Sequence, residues 1–307
     1  MAKDRPRVGF IGAGRVARAL AAALEAAGYR VVAVASKSPV SAERMASALR
    51  EARATAPRHV VDQSDLVFIT TPDDAIGPVA SALRWRAGVA AVHCSGALTL
   101  APLAAAAAQG ADVGSLHPVQ TFARDATFLN GVTFGVEGDG ALRDALHAMA
   151  RDVGGSPIEV PPEGRALYHA AAVLSCGYVA TLLADAAALW QAAGLDPKAG
   201  TSALCLLARQ TVDNARALGP EAALTGPAAR GDAGTIELHL RALGDASPDL
   251  LSLYRAVGAR SVALARRGAG DAETHGGWDA AARLLTASNP SASEIDRGGR
   301  TWYVSGR

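Results

Sequence analysis

The chain has 307 residues, of which 50% are hydrophobic and 19% charged, and its formal net charge is +1. This length favours two domains, and the composition excludes a disordered protein. The near-neutral charge provides no general attraction to nucleic acid or to a membrane surface, so neither is expected as a partner. Cys94, Cys176 and Cys205 form no C-x-x-C pair, so no disulfide framework or metal site is expected. The charged start, M-A-K-D-R-P-R, differs from a secretory signal, and we expect a cytoplasmic protein.

Residues 1–160 alternate short apolar runs with alanine-rich helical patterns. The apolar runs cover residues 8–11, 31–35, 66–70, 89–93, 113–116, 132–136 and 156–160. The helical patterns include residues 15–27, 41–53 and 98–108. Apolar strands separated by helices are typical of a parallel sheet covered on both faces. Pro161 and Pro162 stop the last run, so we place the domain boundary after residue 160.

The strand pattern ends at that boundary, and an all-helical domain is predicted for residues 161–267. Its helical segments cover residues 163–193, 198–217, 232–244 and 247–267. Residues 268–307 are rich in Gly, Ser, Asp and Arg and are predicted to form a weakly structured tail, with a short helix at 278–286.

One stretch, Ala166 to Ala193, is apolar enough to raise the alternatives of a membrane span and a buried helix. It contains His169, Asp185 and several small polar residues. Because no other part of the chain has the character of a membrane protein, we predict a buried helix.

A glycine-rich turn follows the first predicted strand. The sequence G-F-I-G-A-G-R-V-A contains the pattern G-x-G-x-x-A from Gly12 to Ala17. Gly12 permits the tight turn, Gly14 lets the backbone approach a pyrophosphate, and Ala17 keeps the helix close to the sheet. The helix that begins at Arg15 and Val16 offers free N–H groups to the phosphates. The position between a strand and a helix predicts a dinucleotide-binding Rossmann domain; the alternative is a glycine turn without a ligand.

The second strand ends in Ser36-Lys37-Ser38. An acidic residue at this position would hydrogen-bond the free 2′-hydroxyl of NAD and repel the 2′-phosphate of NADP. The chain has two hydroxyls and one of its three lysines there, with Arg44 following. This favours NADP over NAD; the alternative is that Lys37 is a solvated loop charge.

Three further strand ends carry polar side chains, and ligands bind at the carboxyl ends of strands in an open parallel sheet. These ends are Thr70-Thr71-Pro72-Asp73, His93-Cys94-Ser95-Gly96 and Ser115-Leu116-His117-Pro118-Val119-Gln120. Thr71 and Pro72 are predicted to line the cofactor site, and Gln120 the substrate site. His117 and Ser95 are candidate catalytic residues, because reduction of a carbonyl or imine needs a proton donor. The alternative for His117 is a histidine that holds its loop by hydrogen bonds.

The long helix supplies further candidates. His169 is a candidate catalytic residue, and Ser175 and Tyr178 are candidate substrate contacts; the alternative for His169 is a satisfied core histidine. In the loop T-G-P-A-A-R-G-D, Arg230 is the candidate anchor for a substrate carboxylate, and Asp232 is expected to cap a helix. We predict that His117 and His169 meet in a cleft between the two domains, with Arg230 on the helical side.

Several motifs together resemble the Rossmann-like proteins that carry the C-terminal domain of unknown function 2520. They are G-F-I-G-A-G-R-V-A, H-C-S-G-A-L, S-L-H-P-V-Q-T-F, E-G-R-A-L-Y-H-A-A-A-V and T-G-P-A-A-R-G-D, within residues 5–267. The wider relatives include pyrroline-5-carboxylate reductases, prephenate dehydrogenases, ketopantoate reductases and β-hydroxyacid dehydrogenases. The resemblance implies an NADP-dependent oxidoreductase, with ketopantoate reduction as one candidate activity.

The chain departs from these relatives in two places. β-Hydroxyacid dehydrogenases and ordinary ketopantoate reductases use a lysine on the helix after the Rossmann domain, whereas residues 163–193 contain none. Many family members have Asn at the position of Cys176. The lysine mechanism of those relatives therefore cannot be transferred to this chain.

The sequence as a whole predicts an α/β Rossmann domain with a mostly parallel sheet, followed by an all-α domain. The expected function is NADPH-dependent reduction of a small, anionic keto acid or imine by a homodimer, because a long apolar helix needs more cover than one small domain provides. The alternative is a non-catalytic NADP(H)-binding sensor or scaffold.

Overall fold

The computed structural model describes residues 5–122, 129–269 and 276–287. The chain forms two compact units, the first ending at Tyr178 and the second beginning at Val179. This division lies one helix further along the chain than the boundary predicted from the sequence.

The first unit is built on one eight-stranded sheet. Its strands are β1 (Arg7–Ile11), β2 (Arg30–Ala35), β3 (Arg53–Ala54), β4 (Leu66–Ile69), β5 (Ala90–His93), β6 (Asp112–Pro118), β7 (Thr133–Glu137) and β8 (Ser156–Glu159). They lie in the order β3-β2-β1-β4-β5-β6-β7-β8. Only the β6–β7 pair of this sheet is antiparallel, with His117 opposite Gly135. The mostly parallel sheet predicted from the apolar runs is confirmed, and the two-residue β3 is an addition that its exposed, polar sequence did not signal.

Helices cover both faces of this sheet, and its central strands β1, β4 and β5 are buried, whereas the edge strands β3 and β8 are largely exposed. The helices are α1 (Arg15–Ala26), α2 (Pro39–Ser47), α3 (Pro57–Gln63), α4 (Asp73–Ser81), α5 (Ala104–Ala107), α6 (Gly140–Asp152) and α7 (Arg165–Ser175). Phe10 and Phe68 stack in the core on one face, while Ile11 and Ile69, the next residues along β1 and β4, pack into the core on the other face. Side chains alternate between the faces of a strand, so a continuous apolar run supplies both cores.

The second unit is helical within the described residues. Its helices are α8 (Gly177–Ala192, which begins at the boundary), α9 (Pro197–Leu218), α10 (Pro220–Ala223), α11 (Pro227–Arg230), α12 (Ala233–Ala246), α13 (Pro248–Ala269) and α14 (Gly276–Thr286). Trp278, Ala281 and Leu285 of α14 pack in the core of this unit against α12 and α13. The segment predicted as a weakly structured tail therefore contributes a core helix, close to the short helix expected there; residues 270–275 and 288–307 lie outside the described residues.

The prediction of a single continuous helix over residues 163–193 is wrong, because the helix is interrupted at Cys176. Cys176 has φ −124° and ψ −82°, outside the helical region, and it separates α7 from α8. The expected burial is also not found in this chain. Among the described residues, the stretch 162–192 is long enough to cross a membrane and contains an 18-residue apolar window with a mean hydropathy of 1.7, none of which is buried. Length and composition alone are weak evidence, since apolar helices of soluble proteins share them.

Candidate active site

The glycine turn after β1 is fixed by backbone contacts with both neighbouring strands. The Gly12 N–H donates to the Ala35 carbonyl at 2.8 Å, and the Thr70 hydroxyl donates to the Gly12 carbonyl at 2.8 Å. Gly12 has φ +111°, and a Cβ there would lie 2.6 Å from the Thr70 carbonyl. Only glycine fits this position, because the conformation is strained for other residues and the space is taken.

Gly14 differs from Gly12 because no described residue occupies the space beside it. It precedes α1 in extended conformation, and no atom of the described residues lies within 4 Å of a Cβ built there. The space opens into a cleft of about 540 Å³ lined by Gly14, Arg15, Val16, Thr70, Thr71, Pro72, Thr121 and Phe122. The Thr71 hydroxyl is buried there without a hydrogen-bond partner among the described residues. A free helix N-terminus, an open glycine and an unsatisfied hydroxyl fit the phosphate-bearing part of a dinucleotide.

The residues predicted to select the cofactor lie at the start of α2. The Ser36 hydroxyl accepts the Ser38 N–H at 3.3 Å, and the Ser38 hydroxyl caps α2 by accepting the Ser41 N–H at 3.3 Å. Lys37 is exposed, and the first turn of α2 contains no acidic residue. A helix N-terminus beside a lysine suits a phosphate group.

Ser95 holds the loop after β5 together. Its hydroxyl donates to Asp73 Oδ2 at 2.7 Å and accepts the N–H groups of Ala97 and Leu98 at 3.2 and 3.1 Å. The residue is buried. These contacts occupy the hydroxyl of this candidate catalytic residue.

His93 has a fixed tautomer within the same loop. Its Nδ1 accepts the Ser95 N–H at 3.2 Å, so Nε2 carries the proton and donates to the Thr99 carbonyl at 3.0 Å. Burial lowers the pKa of His93 to about 4, and the imidazole is neutral at neutral pH. His93 therefore serves as an internal brace of the loop.

His117 lies near the end of β6 and meets α7. Its Nδ1 is 2.7 Å from the hydroxyl of Tyr168. The two rings meet edge to face with their centroids 5.6 Å apart, and the contact fits a Tyr168 hydroxyl that donates to Nδ1 as well as an Nδ1–H that donates to the Tyr168 oxygen. A His117 ring that accepts at Nδ1 carries its own proton on Nε2. Burial, and then the neighbouring His169 and Arg165, lower the pKa of His117 to about 4, which makes it neutral at neutral pH.

Two glycines, Gly96 and Gly135, leave the space that the side chains of His117, His169 and Tyr168 occupy. A Cβ on Gly96 would lie 2.6 Å from His117 Cε1, 2.7 Å from His117 Nε2 and 2.7 Å from His169 Cδ2. A Cβ on Gly135 would lie 2.5 Å from the Tyr168 hydroxyl. The His117 and His169 rings meet edge to face, with their centroids 6.1 Å apart. The two candidate histidines therefore come together, but within the first unit: the prediction that His169 belongs to a facing domain is wrong, because α7 packs with the sheet.

The other predicted substrate residues have different environments. His169 and Tyr178 line an apolar cleft of about 540 Å³ together with Ala97, Ala166, Ala170, Val173 and Leu174. Ser175 is exposed at the end of α7, and the Gln120 side-chain oxygen accepts the Thr121 N–H at 2.9 Å. Arg230, in the second unit, is exposed, and its Nη2 lies 3.7 Å from Asp232 Oδ2. Asp232 caps α12 by accepting the Thr235 N–H at 3.0 Å, as predicted.

Arg165 and Tyr168 are missing from the sequence-based candidates. The Arg165 side chain is 1% exposed and forms an ion pair with Glu137 at 2.9 Å. The spacing of Arg165, Tyr168 and His169 on an otherwise apolar helix places them on one face, a pattern that could have identified them. Their partners lie in distant parts of the sequence, which local patterns do not reveal.

The comparisons with known proteins follow the two parts of the chain. Residues 1–118 match the Rossmann-like domain, and residues 132–261 match a domain of unknown function, DUF2520. No curated protein matches the chain.

Solved structures share the fold over most of the chain. A candidate NADP oxidoreductase from Bacteroides fragilis is 27% identical, with a TM-score of 0.68 over 84% of this chain and 98% of its own. A protein from Thermotoga maritima is 25% identical, with a TM-score of 0.67 over 84% of this chain and 98% of its own. The 1-pyrroline-5-carboxylate reductase from Streptococcus pyogenes, at 17% identity, shares the fold alone, with a TM-score of 0.62 over 86% and 100%. The chain thus consists of a Rossmann-like domain followed by the DUF2520 domain, the combination that its motifs indicated.

Proposed function

We propose that the chain is an NADPH-dependent reductase of a small keto acid or imine. The observation that carries the proposal is the His117–Tyr168 contact at the carboxyl end of β6, with a neutral imidazole whose Nε2 lies beside Gly96 in the loop after β5. The similarity to the Bacteroides fragilis protein, described as a candidate NADP oxidoreductase, supports the cofactor assignment.

The cofactor would lie along the carboxyl ends of β1, β2 and β4. Gly12, Gly14 and the start of α1 would hold the pyrophosphate, and Thr71 would satisfy its buried hydroxyl there. Lys37 would pair with the 2′-phosphate of the adenosine ribose. When bound, NADPH supplies the hydride that reduces the carbonyl or imine carbon.

His117 would act on the heteroatom of the substrate. Because its pKa is about 4, it is a neutral donor at pH 7, and its Nε2–H hydrogen-bonds the oxygen or nitrogen on which electron density develops. As that atom takes the Nε2 proton, Nδ1 accepts the proton of the Tyr168 hydroxyl, so His117 stays neutral. Burial raises the pKa of Tyr168 and the charge of Arg165 lowers it, so the phenolate would be short-lived: water would protonate Nε2 and the Nδ1 proton would return to the Tyr168 oxygen, which restores the starting tautomer. Ser95 would position the loop between these groups and Asp73.

Substrate identity and assembly are further parts of the proposal. The apolar cleft at His169 and Tyr178 suits the carbon skeleton of the substrate. The exposed apolar window of α7 and α8 supports assembly into a homodimer of a cytoplasmic protein.

A panel of 2-keto acids, including ketopantoate, and of cyclic imines tests the function by the loss of NADPH absorbance. We expect turnover with at least one class, reduced on the order of 10²-fold or more in kcat by His117→Gln. His239→Gln is the matched control, because His239 Nδ1 makes the same 2.7 Å contact with a tyrosine, Tyr254, outside the site. Tight NADPH binding without turnover on any class, or equal rates for His117→Gln and His239→Gln, would favour a cofactor-binding sensor or scaffold instead.

A further inference from the structure

The buried guanidinium of Arg165 contacts three neighbouring strands: the end of β7, the middle of β6 and the residue that follows Cys94 after β5. Its Nε donates to Glu137 at the end of β7 at 2.9 Å, and its Nη2 donates to the hydroxyl of Ser115 on β6. Its Nη1 faces the carbonyl oxygen of Ser95, after β5, at 3.5 Å. The side chain is enclosed, so these contacts are not exchanged with water.

A buried charge of this kind is costly to maintain. Burial lowers the pKa of Arg165 and raises the pKa of Glu137, while the charge of each partner opposes this shift in the other, so the pair carries a desolvation cost. A hydrophobic pair of similar volume would hold α7 on the sheet without this cost. A purely structural need therefore does not explain why an arginine occupies the position.

What distinguishes arginine is its rigid, planar fork, which fixes direction as well as distance. Arg165 begins α7, and Tyr168 follows one turn later on the same face. Anchoring the first turn of α7 to these three strands therefore fixes where the Tyr168 hydroxyl lies relative to His117 on β6. A small shift or rotation of α7 would lengthen the 2.7 Å distance between the Tyr168 hydroxyl and His117 Nδ1. Nothing would then fix which of the two ring nitrogens of His117 carries the proton.

We propose that Arg165 is the positioning residue of the candidate active site, and that its anchoring of α7 keeps His117 in the tautomer with the proton on Nε2. The proposal concerns the state of His117 and rests on the proposed function only for its effect on the rate. Arg165 touches no substrate in this account; it acts through Tyr168.

The test is the tautomer of His117, read from the ¹⁵N chemical shifts of the imidazole in histidine-labelled full-length protein. Wild type is expected to show a protonated Nε2 and an unprotonated Nδ1 at neutral pH. The double variant Arg165→Met with Glu137→Gln removes both charges, so no uncompensated ion is left buried. We expect it to show averaged shifts of both tautomers for His117 and unchanged shifts for His93, whose partners Ser95 and Thr99 lie within its own loop.

A control removes another arginine–carboxylate pair of the same sheet, one that is partly exposed. Arg7 holds Asp65 through two hydrogen bonds, of 3.1 and 2.8 Å, at the amino ends of β1 and β4. Arg7→Met with Asp65→Asn should lower stability and leave the His117 shifts unchanged. If the Arg165 double variant does not fold, Ser115→Ala removes one contact of the fork and should give a smaller change of the same kind.

Activity provides the second readout. With any substrate found in the panel, the Arg165 double variant should lose roughly 10- to 100-fold in kcat while the Kd for NADPH changes less than about twofold. His117 shifts that stay as in wild type in both the double variant and Ser115→Ala would overturn the proposal. If the Arg165 double variant changes the tautomer of His117 but wild type reduces no substrate of the panel, this inference stands and the proposed function is wrong.

Discussion

The Tyr168 hydroxyl on α7 lies 2.7 Å from His117 Nδ1 on β6, although the two residues are 51 positions apart in the sequence. In our proposal this contact makes a half-buried histidine an oriented hydrogen-bond donor, because Nδ1 accepts from Tyr168 and the proton lies on Nε2. The predictions below test the surroundings of this pair and of the dinucleotide turn.

Gly96→Ala should displace the imidazole of His117 or His169 and lower kcat without changing the affinity for the cofactor. The new Cβ would lie 2.6–2.7 Å from atoms of both imidazoles, so one ring must move. We expect kcat to fall by roughly 10- to 100-fold, since small displacements of reacting groups have effects of this size. Gly244→Ala, on the helix α12, is the control, because nothing lies within 4 Å of its added Cβ. Equal kcat values for the two variants in steady-state assays would contradict the role of the pair.

Gly14→Val should abolish nucleotide binding and leave the fold intact. The protein itself leaves room for the side chain, so the only collision expected is with a bound pyrophosphate. Calorimetric titration with NADPH measures the loss, and far-ultraviolet circular dichroism checks the fold. Gly244→Val, which also places its side chain in open space, controls for the cost of valine in a helix. NADPH binding retained by Gly14→Val would place the dinucleotide elsewhere.

Lys37→Glu should weaken NADPH binding by about 1–3 kcal/mol and affect NADH less. A charged hydrogen bond to the 2′-phosphate is lost, and a repelling carboxylate takes its place. Lys198→Glu makes the same charge change at an exposed position in the second unit. Titration of both nucleotides into wild type and both variants gives the comparison. Equal affinities of wild type for NADPH and NADH would refute the cofactor preference.

The stability of the protein should decrease as the pH falls from about 6.5 to about 4. His93 and His117 both have a folded-state pKa of about 4, below the ordinary value of 6.5, so the unfolded chain binds more protons in this range. Their contribution is complete above pH 6.5 and is lost progressively toward pH 4, at up to about 1.4 kcal/mol per pH unit for each histidine. Urea unfolding at several pH values measures the slope. His117→Gln should reduce the slope of the unfolding free energy against pH by the contribution of one histidine. An unchanged slope would contradict the lowered pKa of His117.

The dinucleotide turn could be predicted from the sequence because its determinants are local. Gly12, Gly14 and Ala17 lie within six residues, and the apolar runs on either side fix their place between a strand and a helix. The parallel sheet was predictable for a similar reason, since each strand is a continuous apolar run bounded by turns. The helix break at Cys176 was missed although Ser175 and Gly177 flank it, because an isolated glycine in an apolar helical pattern also occurs inside continuous helices.

The arrangement of the candidate site required the structure. His117 and His169 could each be identified as polar residues in apolar surroundings, but their meeting depends on α7 packing against the sheet rather than with the helices that follow it. Arg165 looks in the sequence like an exposed charge at a helix start. It is buried because Glu137, Ser115 and Ser95 converge on it from three strands, and no local pattern carries that information.

A structure of the protein with NADPH bound tests the central claim most directly. The account predicts the pyrophosphate against the Gly12–Arg15 turn and the reactive face of the nicotinamide directed toward His117 Nε2, with space between them for a small carbonyl or imine. A dinucleotide bound away from the glycine turn, or a nicotinamide directed away from His117, would contradict it.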